Sequence, residues 1–214
     1  MSITIDVDLR ERLGEVRDQG PRPTCLVFAV SAAHEAKRKS TAYLSPEFLF
    51  FSGVQRSHKD PKRGLARTVV QEALVEDGQP LESAWPYLVE TPAKGKWQSP
   101  KLAADAIHKA TIDFAPRTVA QICEVLRAGT PVLLVIALTV AMYKPNADGV
   151  VRGSAIDSVT TRRHAVVAIG SGQAEDGTYL LIRNSWGKYW GASGHAWLHE
   201  PYLTPHLQTT GIIG

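Results

Sequence analysis

The sequence predicts an α+β protein, with helices concentrated in its first half and strands in its second half. Up to about residue 110, apolar residues recur at helical spacing and follow N-cap residues. After that point, short apolar runs are separated by turn residues, a pattern typical of strands. The 214 residues are enough for one globular unit with a sizeable core, and 44% of them are hydrophobic.

Four helices are predicted in the first half, with bounds near 25–39, 46–54, 66–77 and 100–109. Thr24 is a candidate N-cap for the first helix, which is expected to direct one apolar face inward. Ser45 and Pro46 begin the second helix, because proline is favoured in the first turn. Gly78 closes the third helix.

The second half is predicted to contain strands near 111–115, 131–139, 165–170, 179–183 and 194–199, and one helix at 118–128. Residues 131–139 are almost continuously apolar, as in a strand buried on both faces. Asp176 and Gly177 form a turn signal between two of the strands.

The hairpin around this turn is expected to bring two polar side chains together. If Gly170 pairs with Thr178, then His164 pairs with Asn184, and directly opposed residues have Cβ atoms roughly 4.5–5.5 Å apart. An amide at that distance can hydrogen-bond an imidazole. A slip of one residue would place the two side chains on opposite faces, so the contact depends on this register.

Cys25, His164 and Asn184 are typical of a site for nucleophilic acyl transfer. Cys25 lies at a predicted helix N-terminus, where the amide groups and a nearby imidazolium are expected to lower its pKa. His164 would accept the thiol proton and later deliver it to a leaving amine, while Asn184 would orient the ring.

Two further residues complete the predicted site. Gln19, six residues before the cysteine, is expected to donate its amide to the oxyanion together with the backbone N–H of Cys25. Trp186 would shield the bond between Asn184 and the imidazole from water. A structural role is the alternative for each site residue: a buried thiol for Cys25, a core histidine for His164, and turn, loop or core residues for Asn184, Gln19 and Trp186.

These residues resemble the papain-like cysteine peptidases, and the resemblance covers nearly the whole chain. Residues 16–20 resemble the family's V-K-D-Q-G segment, 164–166 its H-A-V strand and 183–187 its K-N-S-W-G strand. Shorter likenesses occur at 44–47, 78–87, 129–132, 190–191 and 194–195. The resemblance implies a papain-like two-lobed α+β fold. A helical lobe at about 11–110 would face an antiparallel β-barrel-like lobe at about 111–214 with residues 1–10, across an active-site cleft.

The resemblance also implies an endopeptidase that hydrolyses protein or peptide substrates through a thioester. Five residues are expected to contact the substrate: Gly64, Leu65, Val135, Ala165 and Trp186. Among them, Leu65, Val135 and Ala165 would line the pocket for the side chain two residues before the scissile bond, which predicts an apolar preference.

The chain departs from the family pattern near the nucleophile. Arg22-Pro23-Thr24-Cys25-Leu26 replaces the family's C-G-S-C-W, so a structural disulfide partner and a tryptophan are absent from this segment. Gly64-Leu65 replaces a glycine pair, and Arg163 precedes the histidine. Three alternatives are left open: another thiol acyl transferase or amidase, a catalytically silent papain-fold binding protein, and a purely structural interaction module. Arg163 and the lost glycine motivate the second of these.

Composition excludes several other partners. The net charge of +3 is too small to indicate a nucleic-acid partner, and the basic residues at 56–67 are expected to form a solvated loop. No apolar run approaches the length of a membrane span. No cofactor or metal is expected, because His195 and His199 lie roughly 13 Å apart on a strand. His34 and His58 are expected at the surface.

Cysteine usage and the N-terminal sequence predict a cytoplasmic protein. Cys25 and Cys123 form no disulfide framework, and Cys123 lies on an apolar helix face typical of a core residue. No secretory signal or inhibitory propeptide is recognised at the N-terminus. Delivery by a non-classical route and an inhibitor or regulatory partner are left open.

Overall fold

The computed structural model describes residues 2–93, 95–153 and 159–214, without the side chains of 159–161. The helices are α1 Cys25–Lys37, α2 Pro46–Ser57, α3 Arg67–Glu76, α4 Val119–Arg127, α5 Val140–Tyr143 and α6 Glu200–His206, with 3-10 turns at Arg10–Arg12 and Ala104–Ala106. The strands are β1 Thr4–Asp8, β2 Ile112–Ala115, β3 Val132–Thr139, β4 Val150–Val151, β5 Val159–Ala174, β6 Gly177–Arg183, β7 His195–His199 and β8 Leu207–Ile213. Within the described residues, none of the helices has the length and apolar character needed to span a membrane.

The strands form one sheet, in the order β2-β8-β3-β5-β6-β7-β4, and β1 pairs with β5 beside this path. Neighbouring strands are antiparallel except β4 and β7, which are parallel. The α+β prediction is therefore confirmed. The lobe bounds near residue 110 stay a prediction.

Helix α1 is buried along almost its whole length rather than on one face. Every residue from Val27 to Ala36 is buried, although the sequence predicted a single inward face. The prediction that His34 lies at the surface was wrong, since its side chain is only 2% exposed and lies near the amide of Gln79. The buried stretch consists mostly of apolar and small residues, and its one carboxylate, Glu35, is paired with Arg17 at 2.7 Å inside the protein, so the helix can be enclosed on all sides.

The predicted helix at 100–109 does not form, and only the single turn Ala104–Ala106 is helical. Residues 101–106 are largely exposed, so the segment lacks the tertiary packing that stabilises a short helix. The backbone of His108 instead exchanges two hydrogen bonds of 2.8 Å with Gln79. This bridge requires an extended chain where the last helical turn was expected.

The predicted register of the β5–β6 hairpin was also wrong. Thr178 pairs with Gln173, not with Gly170, and Gly170 pairs with Leu181. The turn is a tight one around Asp176, so β5 extends further than expected before the chain reverses. Pairing of β1 with the far end of β5 stabilises this extension.

Three buried histidines predict loss of stability in mild acid. Burial lowers the pKa of His34, His164 and His195 to about 4 each. Unfolded histidine titrates near 6.5, so the unfolded chain binds more protons between pH 6.5 and 4, and stability present above pH 6.5 is lost as the pH falls through this window. We expect urea unfolding to show a loss of ~2 kcal/mol per histidine between pH 7 and pH 5.

The matched variants are His34→Gln, which should reduce this pH dependence, and His58→Asn at an exposed position, which should leave it unchanged. Equal unfolding free energies at pH 7 and pH 5 for the unmodified protein would contradict the account.

Candidate active site

Cys25 is the first residue of α1 and its side chain is half-buried. Burial raises the pKa of its thiol above the ordinary value, while the backbone N–H groups of Ala165, Leu26 and Cys25 itself offset part of the rise. The prediction of a lowered pKa was wrong in its net direction. The helix N-terminus does act on the sulfur as expected, but desolvation of the thiolate is the larger effect.

His164 and Asn184 are joined by a hydrogen bond of 2.7 Å between Nε2 and Oδ1. The same Oδ1 accepts the backbone N–H of Ser185 at 2.8 Å, which identifies this atom as the amide oxygen. Because an amide oxygen only accepts, Nε2 of His164 carries the proton, and Nδ1 keeps a lone pair in the neutral ring.

This contact forms even though the predicted register is not observed. Arg183 pairs with Val167, so continuation of the ladder places Asn184 opposite Val166, two residues from His164. Residues related in this way are diagonal neighbours on one face of a sheet, within reach of long side chains. An imidazole and an amide can therefore meet without being directly opposed.

Burial lowers the pKa of His164 to about 4, and the hydrogen bond that His164 donates to Asn184 offsets part of this shift. The ring is consequently neutral at physiological pH. A neutral imidazole with a free Nδ1 lone pair can accept a proton, which is the requirement for a general base.

Aromatic rings cover the imidazole. Trp186 stacks on His164 with centroids 4.5 Å apart and an interplanar angle of 27°. Tyr143 stacks on Trp186 with centroids 5.3 Å apart, and Trp190 packs edge-on against Trp186 at 5.7 Å. The stack removes water from one face of the ring. Tyr143 was not singled out from the sequence, because it lies about forty residues from the tryptophan it contacts.

Gln19 is buried and held at both ends of its amide. Its Oε1 accepts a hydrogen bond of 2.7 Å from Ser185 Oγ, and its Nε2 donates one of 2.9 Å to the backbone oxygen of Arg22. Ser185 thus links the Gln19 amide to the loop that carries Asn184. An amide nitrogen has two hydrogens, so one N–H of Gln19 remains for a further acceptor.

A cavity of about 510 Å³ adjoins the thiol and the imidazole, with Cys25 and His164 in its lining. Four of the predicted substrate-binding residues also line it: Gly64, Leu65, Val135 and Ala165. Trp186 and Gln19 lie outside this lining, the first against the imidazole and the second beside Ser185.

Sequence reasoning missed the part of the cavity formed by β8 and α3. Val135 pairs with both Ala165 and Thr209, so these three residues form a row across β5, β3 and β8. Gln208 and Arg67 line the same cavity from β8 and from the start of α3. Their sequence surroundings contain no motif, so only strand pairing could identify them.

A family model for papain family cysteine proteases matches residues 3–204. The chain belongs to this family. Senescence-specific cysteine protease SAG39 of Oryza sativa subsp. indica is 30% identical over 199 residues, covering 89% of this chain and 56% of that protein. Vignain of Vigna mungo is 26% identical over 201 residues, covering 91% and 54%. The chain therefore spans little more than half the length of these relatives.

Solved structures of the family share the fold at lower identity. Xylellain, a cysteine protease from Xylella fastidiosa, has a TM-score of 0.75 at 20% identity, covering 97% of this chain and 84% of that one. The bromelain protease of Ananas comosus, solved in complex with the E64 inhibitor, has a TM-score of 0.72 at 19% identity, covering 97% of both chains. The predicted papain-like fold is confirmed.

A buried ion pair holds the segment before the nucleophile. Arg22 is in contact with both carboxylate oxygens of Glu47, and the two side chains are 2% and 0% exposed. Trp97 Nε1 donates to the same carboxylate at 2.8 Å. Tyr87 donates to the backbone oxygen of Gln19 at 2.8 Å and lies under the guanidinium, at 5.0 Å from its centre. Ionic and aromatic contacts therefore hold this loop without a covalent bond.

Removing one partner should be costly, because the other charge would remain buried and unpaired. We expect Glu47→Gln to lower the free energy of unfolding by ~3–5 kcal/mol, measured by urea denaturation. The matched control is Asp77→Asn, which breaks the partly exposed pair with Arg56 and should cost ~0.2–1 kcal/mol. If both variants lost a similarly small amount of unfolding free energy, the ion pair between Arg22 and Glu47 would not be what stabilises this loop.

Proposed function

We propose that this protein is a cysteine endopeptidase that hydrolyses peptide bonds through a thioester on Cys25. The observation that carries the proposal is the hydrogen bond between His164 and Asn184, which leaves Nδ1 as the proton acceptor beside the cavity that contains the thiol. Membership of the papain family and the cysteine proteases among its relatives support the same reaction.

In the acylation step, the sulfur of Cys25 attacks the carbonyl carbon of the scissile peptide bond. Nδ1 of His164 takes the thiol proton as the carbon–sulfur bond forms. The imidazolium then delivers this proton to the nitrogen of the leaving amine as the carbon–nitrogen bond breaks, and a thioester remains. Burial disfavours each charge alone, so proton transfer is favoured when the two charges form together at short range.

The oxyanion formed in this step needs hydrogen-bond donors. The backbone N–H of Cys25 lies in the first turn of α1, where amides have no intrahelical acceptor. The second N–H of Gln19 is the other proposed donor, since Arg22 and Ser185 fix the orientation of its amide.

Water completes the reaction by attacking the thioester. His164 removes one proton from this water, the carbon–sulfur bond breaks, and the proton returns to the sulfur. Asn184 keeps the ring in one tautomer through both steps, so the same Nδ1 serves as base and acid.

Labelling with E64, the inhibitor in the bromelain complex, tests the nucleophile directly. We expect one equivalent to add to the protein, with the modified peptide containing Cys25, as measured by intact-mass and peptide mass spectrometry. Cys25→Ser should abolish labelling, because a hydroxyl is a far weaker nucleophile. Cys123→Ser is the matched control at the other cysteine and should label normally.

Analysis of the reaction products distinguishes hydrolysis from acyl transfer to another nucleophile. Cleavage of a peptide to a free carboxylic acid supports the endopeptidase, whereas preferential capture of the acyl group by an added amine would identify an acyl transferase. A Cys25 that is neither labelled nor required for peptide cleavage would overturn the proposed function.

The oxyanion assignment predicts a defect in kcat. Gln19→Ala should lower kcat roughly 10²–10³-fold, the usual cost of losing one such donor. Gln19→Glu keeps the shape of the side chain but removes the donor, so it should be at least as slow. Gln173→Ala, at an exposed position on β5, is the control. An increase in KM with unchanged kcat would instead assign Gln19 to ground-state binding.

A further inference from the structure

We propose that the cavity beside Cys25 selects an acidic side chain, glutamate above all, at the substrate residue two positions before the scissile bond. This inference rests on the proposed endopeptidase function and names its substrate class. It modifies the purely apolar preference predicted from Leu65, Val135 and Ala165, because the cavity has basic side chains as well as apolar walls.

The walls nearest the thiol suit the methylene part of a side chain. Ala165 and Val135 are cross-strand neighbours, and Leu65 lines the cavity from the segment before α3. The row of strand residues ends at Thr209, whose hydroxyl introduces polarity at the far end. A long side chain would therefore pass from apolar to polar surroundings along the cavity.

Two arginines supply positive charge to this cavity. Arg67 lines it from the first residue of α3, and Arg163 lines it from β5, next to His164. The guanidinium of Arg67 lies 5.7 Å from the ring centre of Phe114, so it reaches across to the edge of the sheet at β2. Neither arginine forms an ion pair with any residue that the structure describes, and the described lining contains no aspartate or glutamate.

The start of α3 adds to this positive potential. Its N-cap is Ala66, which offers no side-chain acceptor, and its first turn contains no acidic residue. Ala66, Arg67 and Thr68 all line the cavity. Free amide groups at a helix start favour a negative charge nearby, and an arginine at this position is unfavourable unless an anion accompanies it. A substrate carboxylate at this helix start would satisfy the amides beside Arg67, and Arg163 would add positive potential from β5.

Glutamate fits this arrangement better than the alternatives. Leucine would occupy the apolar walls but leave the basic side chains of the lining without a partner, and glutamine would approach them without a charge. Lysine would be repelled by Arg67 and Arg163. Glutamine is therefore the matched comparison for glutamate, because the two side chains differ in charge but not in length.

The test compares peptides that differ only at this position, with Glu, Gln, Leu or Lys. We expect kcat/KM for the Glu peptide to exceed that for the Gln peptide by about two- to ten-fold, as two exposed charge pairs acting together would give. The ratio should shrink between 0.05 and 0.5 M salt, because screening weakens such pairs. Arg67→Gln should lower the Glu-to-Gln ratio by about two- to five-fold, and Arg163→Gln should lower it as well.

Arg127→Gln is the control, since this exposed arginine ends α4 outside the cavity, and it should leave the ratio unchanged. Binding of the same peptides to Cys25→Ala protein, followed by fluorescence anisotropy, gives the preference without any cleavage. Tighter binding of the Glu peptide supports the inference even if hydrolysis fails. Equal kcat/KM and equal affinity for the Glu and Gln peptides would overturn the inferred acidic preference. A preference for the Leu peptide over the Glu peptide in both assays would also overturn it, and either result would leave the endopeptidase proposal intact.

Discussion

The enclosure of α1 is the constraint on which the candidate site depends. This helix is buried from Val27 to Ala36 and packs against β5, the strand that carries His164. Because the helix cannot slide or rotate without exposing apolar surface, its first residue has a fixed position relative to the strand. Cys25 and His164 consequently line the same cavity although 139 residues separate them in the chain.

Noncovalent contacts inside the protein hold the loop before the nucleophile. Glu47 receives hydrogen bonds from Arg22 and Trp97 inside the protein, and Tyr87 ties Gln19 to the same region. Both carboxylate oxygens of Glu47 are hydrogen-bonded, whereas Nε of Arg22 is buried without a partner among the described residues, so loss of Glu47 would leave Arg22 still less compensated. The geometry of the proposed oxyanion donor therefore depends on residues that never touch the substrate.

Desolvation also shapes the chemistry proposed for the site. Burial raises the pKa of Cys25 and lowers that of His164, so each group is held in its neutral form when considered alone. The amides at the start of α1 and the amide of Asn184 act in the opposite direction. The site thus combines a neutral base with a neutral thiol, and the charges are expected to appear as the reaction begins.

Local signals in the sequence determined most of the elements. Ser45 caps α2 by accepting the N–H of Phe48, and Gly78 follows α3 with a φ of 67°, as the sequence predicted. Both features depend on neighbouring residues only, so they can be predicted from the local sequence. The helix predicted at 100–109 does not form, because a short helix needs tertiary packing and the folded chain places no packing partners there.

The sequence also identified the candidate site residues, which are Cys25, His164, Asn184 and Gln19. Their roles and the cytoplasmic location stay predictions. Tertiary structure alone decided the diagonal meeting of His164 with Asn184, the burial of His34 and the place of Arg67 and Thr209 in the cavity. Each of these depends on strand register or on packing between distant segments. Sequence motifs identify candidate residues, whereas strand register and tertiary packing determine which of these residues come into contact.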